Sequence, residues 1–99
     1  MTSVKFFADG FRISGHSSVD CDDLDGKVVC AAVSSAAFCA ANTIIEIIGD
    51  ECDALIDDAL MEITVKNPSK ESKTVLEGLK LHLKELSVQY GNNINFTEV

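Results

Sequence analysis

"KVVCAAVSSAAFCAANTIIEII", residues 27–48, decides the fold. Its alanine content favours helix, and Gly49 follows as a natural C′ residue. The spacing predicts a helix from about Lys27–Val28 to Ile48. Ser35, Cys39, Asn42 and Glu46 fall on one stripe at 4-3-4 spacing, and most other positions are apolar. Such a helix must be covered on most sides, by a sheet and by a second subunit. Ala31, Ala32, Ala36, Ala37, Ala40 and Ala41 permit close approach. Ser34, Ser35, Asn42, Thr43 and Glu46 interrupt the apolar run, which argues against a membrane span.

Upstream, "VKFFA" (4–8) and "FRISG" (11–15) flank Asp9-Gly10, a pairing that predicts a hairpin with a type I′ turn. Residues 16–27, "HSSVDCDDLDGK", are acidic and poor in apolar residues, and read as an exposed loop. Downstream, strands are expected over about 52–57 and 60–66. In the second of these, Met61, Ile63 and Val65 alternate with Glu62, Thr64 and Lys66. Asn67-Pro68 reads as N-cap and first residue of a helix with Val75, Leu79, Leu83, Leu86 and Tyr90 on one face. Gly91 ends that helix, and "NINFTE" (93–98) makes a last strand with Ile94 and Phe96 inward. The order is ββαββαβ: an α+β fold, with a five-stranded, mostly antiparallel sheet and two packed helices.

The chain has 99 residues, enough for a single domain over 1–99. A domain this small buries a modest share of its surface, so a partner subunit would add stability. Its net charge is −8, from 16 acidic and 8 basic residues. That balance excludes direct nucleic-acid binding, which needs a basic face, and favours a cationic protein or peptide partner. "MTSVKFFADG" has no apolar core of signal-peptide length. A cytoplasmic location follows, with Cys21, Cys30, Cys39 and Cys52 as reduced thiols. No C-x-x-C pair is present, "DDLD" lacks the full calcium-loop pattern, and no metal or other cofactor is called for.

Cys30 stands where the acidic loop meets the helix, with His16 upstream. In a first helical turn, free backbone N–H groups and the helix dipole favour thiolate and could hold an oxyanion. His16 has the intrinsic pKa of a general base. Spacing alone leaves Cys30 open between a packing residue and a nucleophile. Cys39, nine residues on, points to roughly the opposite side of the helix and reads as a packing or interface residue. Cys52 reads as core, Cys21 as exposed, and His82 as a partly exposed residue without chemistry.

"SGH" at 14–16 followed by "VVCAAVSSAAF" at 28–38 resembles the ribosomal-processing cysteine protease family (Prp, the YsxB-like proteins). The resemblance extends over the whole chain in length, acidity and element order. It implies a cytoplasmic, homodimeric thiol protease that removes an N-terminal extension from a large-subunit ribosomal protein, cutting beside a Phe-Phe pair. It makes Cys30 the nucleophile and His16 the general base and acid. Ser34, one turn after Cys30, would bond in the site or to substrate, and Gly15 would allow close approach beside His16. Where members carry an aspartate three residues before the cysteine, this chain has Lys27. Asp25 is the best-placed substitute for orienting His16 or capping the helix. Lys27 also sustains an alternative: a non-catalytic acidic module that binds a ribosomal protein or assembly factor.

Overall fold

The computed structural model describes residues 1–15 and 24–99. Its elements are β1 (Thr2–Phe7), β2 (Gly10–Ser14), α1 (Leu24–Asn42), a π-helical segment (Thr43–Ile48), β3 (Cys52–Asp57), β4 (Leu60–Val65), α2 (Lys70–Gln89) and β5 (Ile94–Glu98). The five strands form one sheet in the order β3-β4-β2-β1-β5. Every neighbouring pair is antiparallel except β1 with β5. The expected ββαββαβ architecture is the one found.

Alternation along the strands divides the sheet into two faces. Val4 and Phe6 of β1, Phe11 and Ile13 of β2, and Met61, Ile63 and Val65 of β4 are buried. They meet Val29, Val33, Ala37, Ala40 and Ala41 of α1, Ile44 of the π-helical segment, and Leu76, Leu79 and Leu83 of α2, in one core. The run Leu24–Ile48 is long and apolar enough to cross a bilayer by length and composition. Its inner side instead closes the core of the sheet.

The hairpin is where the sequence places it, but its turn is shifted by one residue. Phe7 pairs with Gly10, so Ala8 and Asp9 form the turn. Neither has positive φ, so the turn is not type I′. Gly10 serves another purpose: a Cβ there would collide with the Ile63 carbonyl of β4. The second helix also starts later than Asn67-Pro68 implies. Asn67 is left-handed, with φ of 51°. Ser69 is the N-cap, its Oγ accepting from the Ser72 amide at 3.2 Å.

The largest departure is at the start of α1, which is helical from Leu24 instead of Lys27–Val28. Asp25 in its first turn suits the positive end of the helix dipole, and Gly26 is buried. At the other end the helix widens into a π-helical turn. The Thr43 hydroxyl donates to the Cys39 carbonyl at 2.7 Å. Gly49, with φ of 86°, closes the segment as expected, and its amide and that of Asp50 both donate to Ile44 O, at 2.9 and 3.1 Å.

Asp50 joins that helix end to the next helix start. Its Oδ2 accepts from the Ser69 amide at 2.9 Å, the Ser69 hydroxyl at 2.7 Å and the fully buried Ser72 hydroxyl at 2.6 Å. The Ser72 bond is the leading cause that holds the Asp50 carboxyl below its ordinary 3.8; the Ser69 bonds follow.

Candidate active site

The site is built at one end of the sheet. Ser3 of β1 pairs with Ser14 of β2, Ser14 with Leu60 of β4, and Leu60 with Asp57 of β3. At this end the Gly15 amide donates to the Ala59 carbonyl at 3.0 Å, anchoring the chain as it leaves β2. Gly15 has φ of 77°, and a Cβ on it would stand 2.7 Å from the Met1 carbonyl oxygen. Both facts require glycine there. His16 is the next residue and lies outside the described residues, as does Cys21.

Cys30 is half-buried on α1 above this end of the sheet, its Sγ 3.9 Å from the Thr2 hydroxyl. It is the seventh residue of α1 rather than a first-turn residue. In a regular helix its amide is then bonded to the Gly26 carbonyl four residues back. The dipole argument for first-turn amides as oxyanion donors therefore does not carry to Cys30, since the effect fades beyond the first turn. Cys30 is disulfide-bonded in this structure. Cys39 and Cys52 are free thiols. The expectation of reduced thiols throughout thus fails at Cys30. Spacing along the chain carries no sign of such a bond, because it depends on the fold bringing two thiols together.

Ser34 is half-buried one turn after Cys30, on the same side of α1. Asp25 and Lys27 are both exposed in the first turn of α1. Asp25 is thus inside the helix rather than in a preceding loop. Lys27 and Cys30, three residues apart, are neighbours on the helix surface. Thr2 is the residue beside the thiol that sequence reasoning passed over. Its burial on β1, at 2% exposure, is the one local sign of a role other than solvation.

Cys39 and Cys52 are the other described cysteines. Cys39 is exposed on α1, beside a shallow cleft between the helices that also holds Thr43, Val75 and His82. Cys52 packs against the core at the start of β3. Burial, and then the nearby Asp50 and Asp53 carboxylates, push its thiol pKa up, which suits an unreactive residue. Among the described residues, no cluster of three metal-ligating side chains is present.

A half-buried cysteine thus stands over the end of the sheet, one strand away from a strained glycine. The model of the family "Cysteine protease Prp" matches residues 1–95, so the chain belongs to that family and is a thiol hydrolase of peptide bonds. No curated protein matches it closely in sequence. Among solved structures, the ribosomal processing protease Prp from S. aureus with a substrate peptide is similar at a TM-score of 0.90. The identity is 20%, and 100% of each chain is covered. The same protease with a covalently linked product peptide gives a TM-score of 0.87 and 21% identity, again with 100% of each chain covered. SMU.848 from Streptococcus mutans gives a TM-score of 0.90 and 17% identity, over 100% of this chain and 97% of that one. At these identities the likeness is one of fold.

Proposed function

We propose that this chain is a ribosomal-processing cysteine endopeptidase. Its substrate is the precursor of a large-subunit ribosomal protein, from which it removes an N-terminal extension. The observation that carries this reading is the family match over 1–95, together with the resemblance of "SGH" and "VVCAAVSSAAF" to the family's paired motifs.

In the proposed reaction His16 takes the Sγ proton of reduced Cys30, and the thiolate attacks the scissile carbonyl. The C–N bond breaks as His16 returns the proton to the leaving amine. Water then attacks the thioester, with His16 as base, and releases the acid product. Ser34 and Gly15 border the substrate, and Lys27 faces it where the family carries an acid. The reaction needs no metal and no cofactor. The acidic surface suits a basic substrate in the cytoplasm.

A homodimer is part of the proposal. Leu24, Val28, Ala31, Ser35, Phe38, Asn42 and Ile45 lie in 4-3-4-3-4-3 spacing and are all exposed. Leu24 is 76% exposed and Phe38 43%. That is the seam of a helix awaiting another helix, and a second copy of α1 fits it.

The test is cleavage of a precursor peptide by the reduced protein. Wild type should cut, whereas Cys30→Ser and His16→Ala should lose on the order of a thousandfold or more in kcat/KM. Full-rate cleavage by either variant would overturn the mechanism. Binding without cleavage by reduced wild type would favour the acidic binding module, a reading that exposed Lys27 supports.

A further inference from the structure

The edge strand β3 is exposed along nearly its whole length. Among the described residues it pairs only with β4, which leaves the other side of its backbone without a strand neighbour among them. Leu55 and Ile56 are 55% and 56% exposed, on opposite faces of the strand. The face of Ile56 is the helix-side face, because Ile56 pairs with buried Met61. The helices leave that margin of the sheet uncovered. Around it stand the exposed carboxylates of Glu51, Asp53, Asp57 and Asp58. Lys66 is the cation recorded among them, 3.7 Å from Glu51 and 3.5 Å from Asp53.

An open edge with apolar side chains on both faces is a template for another strand. Its charge selects the occupant. Antiparallel pairing with a second copy, centred on Leu55, would set Asp53 directly opposite Asp57 of that copy. Centring on Ala54 would set Glu51 opposite Asp57. Like charges directly opposed in a ladder are destabilising, so these two registers, which overlap most of β3, disfavour a second copy. A cationic extended peptide meets the opposite conditions: its backbone completes the ladder and its basic side chains meet the acids.

We propose that β3 is a docking edge for a basic, extended segment of the polypeptide substrate, bound as a sixth strand and remote from the scissile bond. This deepens the proposed function and rests on it for the assumption that the docked chain continues to Cys30. The geometry gives the reach. The C-terminal end of β3 lies at the same end of the sheet as Thr2 and Cys30. An added strand stands four strand spacings from β1, about 19 Å, which about six extended residues span. Substrate recognition is thereby separated from the bond that is cut.

The test uses Cys30→Ser protein and a fluorescent hexapeptide of alternating lysine and valine. Controls are the same peptide with glutamate for lysine, and a version N-methylated at alternate residues. The lysine peptide should bind, with affinity falling as salt rises. N-methylation should abolish binding, and a Glu51→Gln/Asp53→Asn double variant should weaken it by about tenfold. The Lys66 amide donates to the Glu51 carbonyl, so ladder bonds alternate from that pair and the Ala54 amide faces away from β4. Ala54→Pro should therefore block binding while the circular dichroism spectrum stays that of the parent. Equal binding of the N-methylated or glutamate peptide, or unchanged binding to the double variant, would overturn the proposal. So would a change of oligomeric state in Ala54→Pro, which would make the edge's occupant a second copy. Cleavage assays on wild type are read separately. Docking with no cleavage sinks the protease reading alone, and cleavage with no docking sinks the edge alone.

Discussion

Thr2 Oγ1 stands 3.9 Å from Cys30 Sγ, joining the first residue of β1 to the seventh of α1. The sheet's end and the helix are held in register around this contact. Thr2 is 2% exposed, so its hydroxyl faces the Cys30 sulfur and not water.

Thr2→Val keeps the shape and removes the hydroxyl. A donor beside the sulfur favours thiolate, so its loss should slow alkylation of reduced Cys30 at neutral pH by about threefold. The unfolding midpoint should change little by comparison. Rates followed by mass spectrometry check this, and faster alkylation would contradict it.

Gly15→Ala should be costly for two reasons, positive φ and the Met1 carbonyl 2.7 Å from the new Cβ. A loss of at least about 1 kcal/mol in stability is expected by urea unfolding. Gly78→Ala is the control. Nothing lies within 4 Å of a Cβ there, and Gly78 is inside α2, so alanine should stabilise by about 0.5–1 kcal/mol.

Asp50 offers a pH test. Its folded pKa is lowered, by the Ser72 hydroxyl first and the Ser69 groups next. Its bonds therefore stabilise the fold fully above the ordinary value of 3.8, and that contribution is lost as pH falls through the lower folded value. Wild type should have a higher urea midpoint than Asp50→Ala at neutral pH, and the gap should close on acidification below 3.8. Ser72→Ala, which removes a buried donor, should cost on the order of 1 kcal/mol. A constant gap across the range would contradict the assignment.

Phe38→Glu places a charge in the exposed α1 seam, where Phe38 is 43% exposed. The proposed dimer should dissociate to monomer in sedimentation, with helical content retained. A dimer that persists in Phe38→Glu would move the interface elsewhere. Leu83→Ala, at a fully buried site, should cost about 2–5 kcal/mol in either oligomeric state.

Much of this was legible in the sequence, for reasons that differ by element. Period-two alternation in "MEITV" marked β4, because Met61, Ile63 and Val65 must all face the core. The C-terminal Gly49 marked the end of the first helical run, because a left-handed residue closes it. The start of α1 was hidden. Asp25-Gly26 has loop composition, and only packing shows that Gly26 is buried inside a helix. Asp9-Gly10 misled in a related way, since Gly10 exists for close approach to Ile63 and not for the turn. For the proposed site, the motif alone points to Cys30, Ser34 and Gly15. Thr2 could not, because its place beside Cys30 depends on a contact 28 residues apart in sequence.

The most direct measurement is the pH dependence of alkylation at Cys30 after reduction, read site by site, in wild type and His16→Ala. The expected result is rapid labelling of Cys30 well below the ordinary thiol value of about 8.5, slowed or shifted upward when His16 is removed. Labelling of Cys30 no faster than that of exposed Cys39, and indifferent to His16, would contradict the claim that these two residues form the catalytic pair.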